Sequence, residues 1–170
     1  GYPSLLIFLL LGTILTVIVQ SSSATVAITL IMCTQGWIPF EMAAAMVLGE
    51  NIGTTITANI AAISANVSAR RAAIAHLMFN VFGVCWVMAL FYPFTSMITW
   101  IVTNYGPGDP NEMTQFLSTL DPKTISLITS SAQITEPHLL ALQKQLLTLQ
   151  VSVSYGLSLF HTVFNITNVC

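Results

Sequence analysis

The hydrophobic positions of this chain fall in long runs, and short polar stretches cut the runs at a few places. Residues 4–19 are apolar with few breaks, and Pro3 just ahead of them suits the first turn of a helix. About sixteen residues at 1.5 Å each reach about 24 Å, short of a ~30 Å hydrocarbon core. Gln20-Ser21-Ser22-Ser23 follows, and then a shorter apolar run over 24–33. Two short helices joined by a polar break predict a re-entrant hairpin or a discontinuous helix. Non-helical backbone at that depth is tolerated only where protein or a water-filled cavity surrounds it.

The next turn is marked by Gly36, which fits a helix C-cap, and by Trp37, which fits an interfacial anchor. Glu41 suits the start of the helix after it. Residues 42–48 and 56–64 then flank a second polar stretch, Gly49-Glu50-Asn51-Ile52-Gly53-Thr54-Thr55, whose glycines predict a second break close to the first. Residues 72–92 predict a full-length crossing that ends at Pro93, and 95–105 extends it or lies at the surface. A linker over 106–111 opens a segment of soluble composition that holds Asp109, Glu112, Asp121, Lys123, Glu136 and Lys144. Within it, 111–120 and 136–150 predict short amphipathic helices. Asp121-Pro122 and Glu136-Pro137 each fit a helix start with proline first. Membrane character returns over 146–170.

Composition turns this pattern into a class. Of 170 residues, 55% are hydrophobic and only 6% charged, and the mean hydropathy is +0.82. Soluble domains carry roughly a quarter charged residues. The chain therefore reads as an all-α integral membrane protein, and the continuous runs do not show the alternation of a membrane β-barrel. A formal net charge of -2 and the lack of a basic patch exclude a nucleic-acid partner. Arg70 and Arg71 are the only basic residues before Lys123. The positive-inside rule places them in the cytoplasm and the soluble segment outside, in a multi-pass protein of the cell membrane. Cys33, Cys85 and Cys170 stand singly without metal-ligand spacing and read as small buried hydrophobes. No signal peptide is visible, and apolar segments at both ends predict a fragment of a larger chain.

Candidate chemistry gathers at the two polar stretches. Gln20, Ser21, Ser22 and Ser23 supply an amide and hydroxyls that both donate and accept. Either they form a helix-packing patch, or they line a solute site in which a half-helix N-terminus holds an anion without any Arg or Lys. Asn51, Thr54 and Thr55 offer neutral oxygens suited to a sodium shell, or else are hydroxyls and amides bonded back to a kinked helix. Glu50 is an intramembrane acid that must be paired, protonated or wet, unless it sits at the cytoplasmic edge. His76 and His161 are candidate proton carriers or phosphate donors, or else hydrogen-bonded structural residues. Asn80 and Asn165 read as packing polar groups. Both histidines stand in a His-x-x-Phe-Asn echo, residues 76–80 and 161–165, of the kind left by inverted repeats. The glycosylation patterns at Asn66 and Asn165 are discounted, one beside the cytoplasmic arginines and one within a membrane helix.

Three motifs together, Gln20-Ser21-Ser22-Ser23-Ala24-Thr25, residues 49–55, and Arg71-Ala72 followed by residues 76–80, closely resemble the type II sodium–phosphate cotransporter family in order and spacing. The resemblance covers residues 3–92 firmly and 147–170 loosely. It implies an inverted-repeat transporter with a re-entrant helical hairpin. Residues 1–103 would form the first repeat, 104–146 an extracytoplasmic loop, and 147–170 the first helix of a second repeat. It also implies sodium-coupled symport of inorganic phosphate. Phosphate would be held by Gln20, Ser21, Ser22 and Ser23, and sodium by Asn51, Thr54, Thr55 and Ser22. Glu50, His76, Asn80, His161 and Asn165 would couple or gate. Sodium is then a coupling ion, with no other cofactor. The partners are phosphate, sodium, the lipid bilayer, and a second repeat in further sequence or in another copy. The family commonly has Ala where this chain has Glu50, and a second QSSS motif is missing before Cys170. Two other classes stand beside the carrier. One is a structural or solute-binding membrane subunit. The other is an intramembrane serine hydrolase using Ser22 with His76 or His161, for which no nucleophile elbow appears.

Overall fold

A computed structural model describes residues 1–130 and 134–169. Eight helices stand among them: α1 (Tyr2–Val19), α2 (Ser22–Thr34), α3 (Phe40–Ala62), α4 (Val67–Ala89), α5 (Phe91–Tyr105), α6 (Glu112–Ser118), α7 (Pro122–Thr129) and α8 (Pro137–Val169). The chain is an all-α membrane protein. Three helices, α1, α4 and α8, are long and apolar enough to cross a bilayer.

Helix α3 is the axis of the bundle. Phe40, Ala43, Ala44, Ala45, Met46, Val47, Leu48, Gly49 and Glu50 are all buried, so this half of the helix is covered on every side. A helix buried all round carries no polar stripe. That is why its only charges are Glu41, in the first turn, and Glu50. The expected second break over 49–55 does not form, because α3 runs unbroken from Phe40 to Ala62. The physical reason lies in a neighbour. A Cβ on Gly49 would collide with the Leu9 carbonyl of α1, and one on Gly53 would lie 2.6 Å from Thr16 Cβ. The two glycines, four apart on one face, let α1 approach the backbone of α3. The polar side chains between them fold back on their own helix. Asn51 Nδ2 donates to Val47 O at 2.8 Å, Thr54 Oγ1 to Glu50 O at 2.8 Å, and Thr55 Oγ1 to Ile52 O at 2.7 Å.

The first break does form, over fewer residues than expected. Gln20 adopts left-handed angles, φ 56° and ψ 26°, and Ser21 is extended and caps α2. Ser22 and Ser23 already belong to the first turn of α2. Contacts advance together along α1 and α3, from Gly12 at Met46, through Thr13 at Gly49, to Thr16 at Gly53, so these helices run in the same direction. Beside them α2 runs back, touching both, with Thr16 and Thr25 hydroxyls 3.1 Å apart. Gln20 lies four residues past Thr16 and hence beside about residue 57 of α3, which continues to Ala62. At 1.5 Å per residue the bend therefore stops about 7 Å short of the end of α3, within the bundle. Gln20 and Ser23 are nevertheless exposed, so the bend is not fully enclosed.

Local signals set the other boundaries. Helix α2 ends in a Schellman motif, with Trp37 N–H on Met32 O and Gly36 N–H on Cys33 O, and Gly36 at φ 72°. Trp37 beyond it is exposed. Asn66 caps α4 through Ala69 N–H at 2.9 Å. Asp121 caps α7 through Thr124 N–H at 3.0 Å, and Pro122 and Pro137 open α7 and α8. The crossing expected over 72–92 is α4, which ends at Ala89; a turn at Leu90 then starts α5, with Pro93 in its first turn. The helix expected over 136–150 and the membrane helix expected after 147 are one helix, α8. Helix α6 packs over the α2–α3 turn, where Leu117 meets Gly36, and α7 packs against α8, with Gln143 donating to Ile128 O. Cys33 is buried as expected. Cys85 is exposed, because it faces outward from α4 on the side of Val81 and Phe82; Cys170 lies outside the described residues.

Candidate functional site

A cavity of about 400 Å³ lies where the α2 N-terminus meets α3 and α8, lined by Ser22, Ser23, Val26, Glu50, Asn51, Thr54 and His161. Its two walls differ in chemistry. On the α2 side, Ser21 Oγ accepts from Ala24 N–H at 3.4 Å and Thr25 N–H returns to Ser21 O. The amides of Ser22 and Ser23 precede the first intrahelical bond and are left to donate outward. Two hydroxyls and the positive end of the helix dipole add to them. This wall presents donors.

The α3 wall presents acceptors. Asn51 spends one amide proton on Val47 O and Thr54 its hydroxyl proton on Glu50 O. Asn51 Oδ1 and the lone pairs of Thr54 Oγ1 remain. Glu50 is 1% exposed. Thr29 Oγ1 donates to Glu50 Oε1 at 2.6 Å, while Glu50 Oε2 is buried without a hydrogen-bond partner. Among the described residues, no Arg or Lys lines the cavity, and no group of three or more His, Cys, Asp or Glu forms a transition-metal cluster.

A second cavity of about 260 Å³ shares Asn51 and Thr54 and adds His76, Phe79, Asn80, Asn165 and Asn168. The two copies of the His-x-x-Phe-Asn echo thus meet at one place. They also repeat one bond: Asn80 Nδ2 donates to His76 O at 3.0 Å and Asn165 Nδ2 to His161 O at 2.9 Å. Asn80 is buried, His76 is exposed and His161 is half-buried.

Of the residues singled out in the sequence, Ser22, Ser23, Glu50, Asn51, Thr54 and His161 share the first cavity, and His76, Asn80 and Asn165 share the second. Gln20 and Ser21 form the bend beside them, with Ser21 Oγ 3.3 Å from Ser23 Oγ. Thr55 is fully buried and lines neither cavity. Among the described residues no hydrogen bond joins Ser22 to either histidine, although Ser22 and His161 line the same cavity. Thr29 and Asn168 were not singled out. Thr25 and Thr29, four apart within the apolar middle of α2, are the signal for the first, since that spacing makes a polar stripe that meets Thr16 of α1 and Glu50 of α3.

Residues 5–103 match the Na+/Pi-cotransporter family. The chain is 40% identical over 108 residues to the uncharacterised protein YqeW of Bacillus subtilis, covering 64% of this chain and 34% of that protein. It is 38% identical over 97 residues to the human sodium-dependent phosphate transport protein 2B, covering 55% and 13% respectively. It is 30% identical over 89 residues to the putative inorganic phosphate export protein YjbB of Salmonella typhimurium, covering 52% and 16%. The chain thus spans about a third or less of the length of these relatives. No solved structure matches.

Proposed function

The chain belongs to the Na+/Pi-cotransporter family, and from that premise we propose that it forms part of a sodium-coupled symporter of inorganic phosphate, in a multi-pass protein of the cell membrane. The observation that carries the reading is the cavity with a donor wall and an acceptor wall. Phosphate is an anion whose hydration must be replaced, and the amides and hydroxyls at Ser22 and Ser23 are suited to that. Sodium is a hard cation that takes oxygen ligands, which Asn51 and Thr54 offer next to it. Opposite charges bound side by side each lower the cost of desolvating the other, which is the energetic content of coupling. Gln20 and Ser21 hold the bend that aims α2 at the cavity. Thr55, bonded to Ile52 O, would act through the packing of α3.

The names of the relatives support the substrate. Phosphate appears in the names of both the human and the Salmonella protein, and sodium in the human one. The meeting of Asn80 and Asn165 in one cavity supports an inverted-repeat origin for α4 and α8. The test is uptake of radiolabelled phosphate by proteoliposomes holding the intact protein. The account expects uptake that needs an inward sodium gradient and falls at least about tenfold when Ser22→Ala and Ser23→Ala are combined, as loss of charge-assisted hydrogen bonds worth about 1.5–3 kcal/mol would produce. Uptake indifferent to sodium, or unchanged in the double variant, would remove the proposal.

A further inference from the structure

Among the described residues, Glu50 is the one acidic side chain lining either cavity, and its surroundings are unusual. One carboxylate oxygen takes the Thr29 proton, and the other is buried and bare. On α2 and α3 beside it, Thr29 donates to Glu50 itself, one Asn51 amide proton goes to Val47 O and the Thr54 hydroxyl proton to Glu50 O, and none of the three reaches Oε2. From its own helix, Asn51 Oδ1 and Thr54 Oγ1 add further acceptor oxygens to the same cavity lining. Acceptors facing a carboxylate make a poor anion site and a good cation site. No lysine or arginine of the described cavity lining neutralises the carboxylate. An ionised carboxylate with a bare oxygen in the membrane interior must be neutralised by a bound cation or a proton.

We propose that Glu50 is a cation site at which a sodium ion and a proton exclude one another. Sodium would bind Glu50 Oε2 with Asn51 Oδ1 and Thr54 Oγ1. The proton would bind the same Oε2, and neither could occupy it while the other was there. Thr29 is a positioning residue, since its hydroxyl fixes Oε1 and leaves Oε2 to the ligand. The other titratable groups around the site are few. Among the described residues, α1 and α2 bring none to the cavity lining, α8 brings His161, and α4 brings His76 to the adjoining cavity. Glu41, on α3 itself, lines a separate cavity with Thr103, Asn104 and Asn111. The inference deepens the proposed function by making one sodium position carboxylate-anchored. Cation binding can be measured without phosphate, so the two readings fail separately.

The experiment is sodium-induced thermal stabilisation of the intact protein in detergent, with choline holding ionic strength, titrated at several pH values. The proposal expects the sodium concentration for half-maximal stabilisation to rise at least about threefold from about pH 8 to about pH 6. In Glu50→Gln, whose amide oxygen can still accept from Thr29, the sodium response should shrink and lose its pH dependence. In His161→Gln the pH dependence should persist. Three results would overturn the proposal: a sodium response in wild type that ignores pH, a Glu50→Gln response equal to wild type, or a pH dependence that disappears with His161. If Glu50→Gln does not fold, the wild-type titration still decides. Failure of phosphate uptake alongside the expected sodium–proton competition would count against the symport reading alone.

Discussion

The bend at Gln20 and Ser21 lies beside the cavity that Glu50, Asn51 and Thr54 line, and the two polar stretches satisfy their backbones in opposite ways. At the bend the helix ends, Gln20 takes a left-handed conformation, and the next helix offers unpaired amides. On α3 the helix continues, and threonine and asparagine side chains return their protons to carbonyls three or four residues back. The first region therefore exposes donors and the second exposes acceptors. A polar stretch in a membrane helix can thus mean two things, and the difference decides which sign of ion it can hold. Glycine makes the same point. Gly49 is not a hinge but the place where α1 touches the backbone of α3.

The largest effect expected from breaking this contrast is at that contact. Gly49→Ala would drive a Cβ into the Leu9 carbonyl, a backbone atom that cannot rotate away. Separating two packed helices should cost about 3 kcal/mol, read as a lowered unfolding midpoint in detergent. If α3 were broken at Gly49, the substitution would be close to neutral. A smaller loss is expected from Thr29→Val, which leaves Glu50 without its donor. An orphaned buried acceptor costs about 2 kcal/mol, and the proton competition at Glu50 should change with it. A stability equal to wild type would show that Thr29 and Glu50 are not engaged. The smallest effect is expected at the bend. Gln20→Gly relieves a left-handed residue at some cost in chain entropy, and the two nearly cancel to within about 1 kcal/mol. A large loss would mean that the Gln20 side chain, and not only its backbone, holds the hairpin.

The parts of this structure that were legible in the sequence are those decided locally. The hairpin is announced by the polar break at residues 20–23, α7 by Asp121-Pro122, α8 by Glu136-Pro137, and the end of α2 by Gly36. Each depends on residues within a turn of the feature it sets. The continuity of α3 was not legible, because the role of Gly49 is fixed by Leu9, forty positions away in sequence. The same holds for Thr29, whose meaning comes from Glu50 on another helix. The motif residues were found, but their division into a donor wall and an acceptor wall depends on which protons are already spent, and that needs coordinates. Thr55 illustrates the limit: alike in type to Thr54 and adjacent to it, it points into the core and not the cavity.

The central claim is that one cavity holds an anion at Ser22 and Ser23 and a cation at Asn51, Thr54 and Glu50, each favouring the other. The most direct test is equilibrium binding of phosphate to the intact detergent-solubilised protein as a function of sodium, with sodium binding measured reciprocally as a function of phosphate. The account predicts that saturating sodium tightens phosphate binding by at least about tenfold, and that phosphate tightens sodium binding by the same factor, as linkage requires. Phosphate affinity that is the same in sodium and in choline would contradict it.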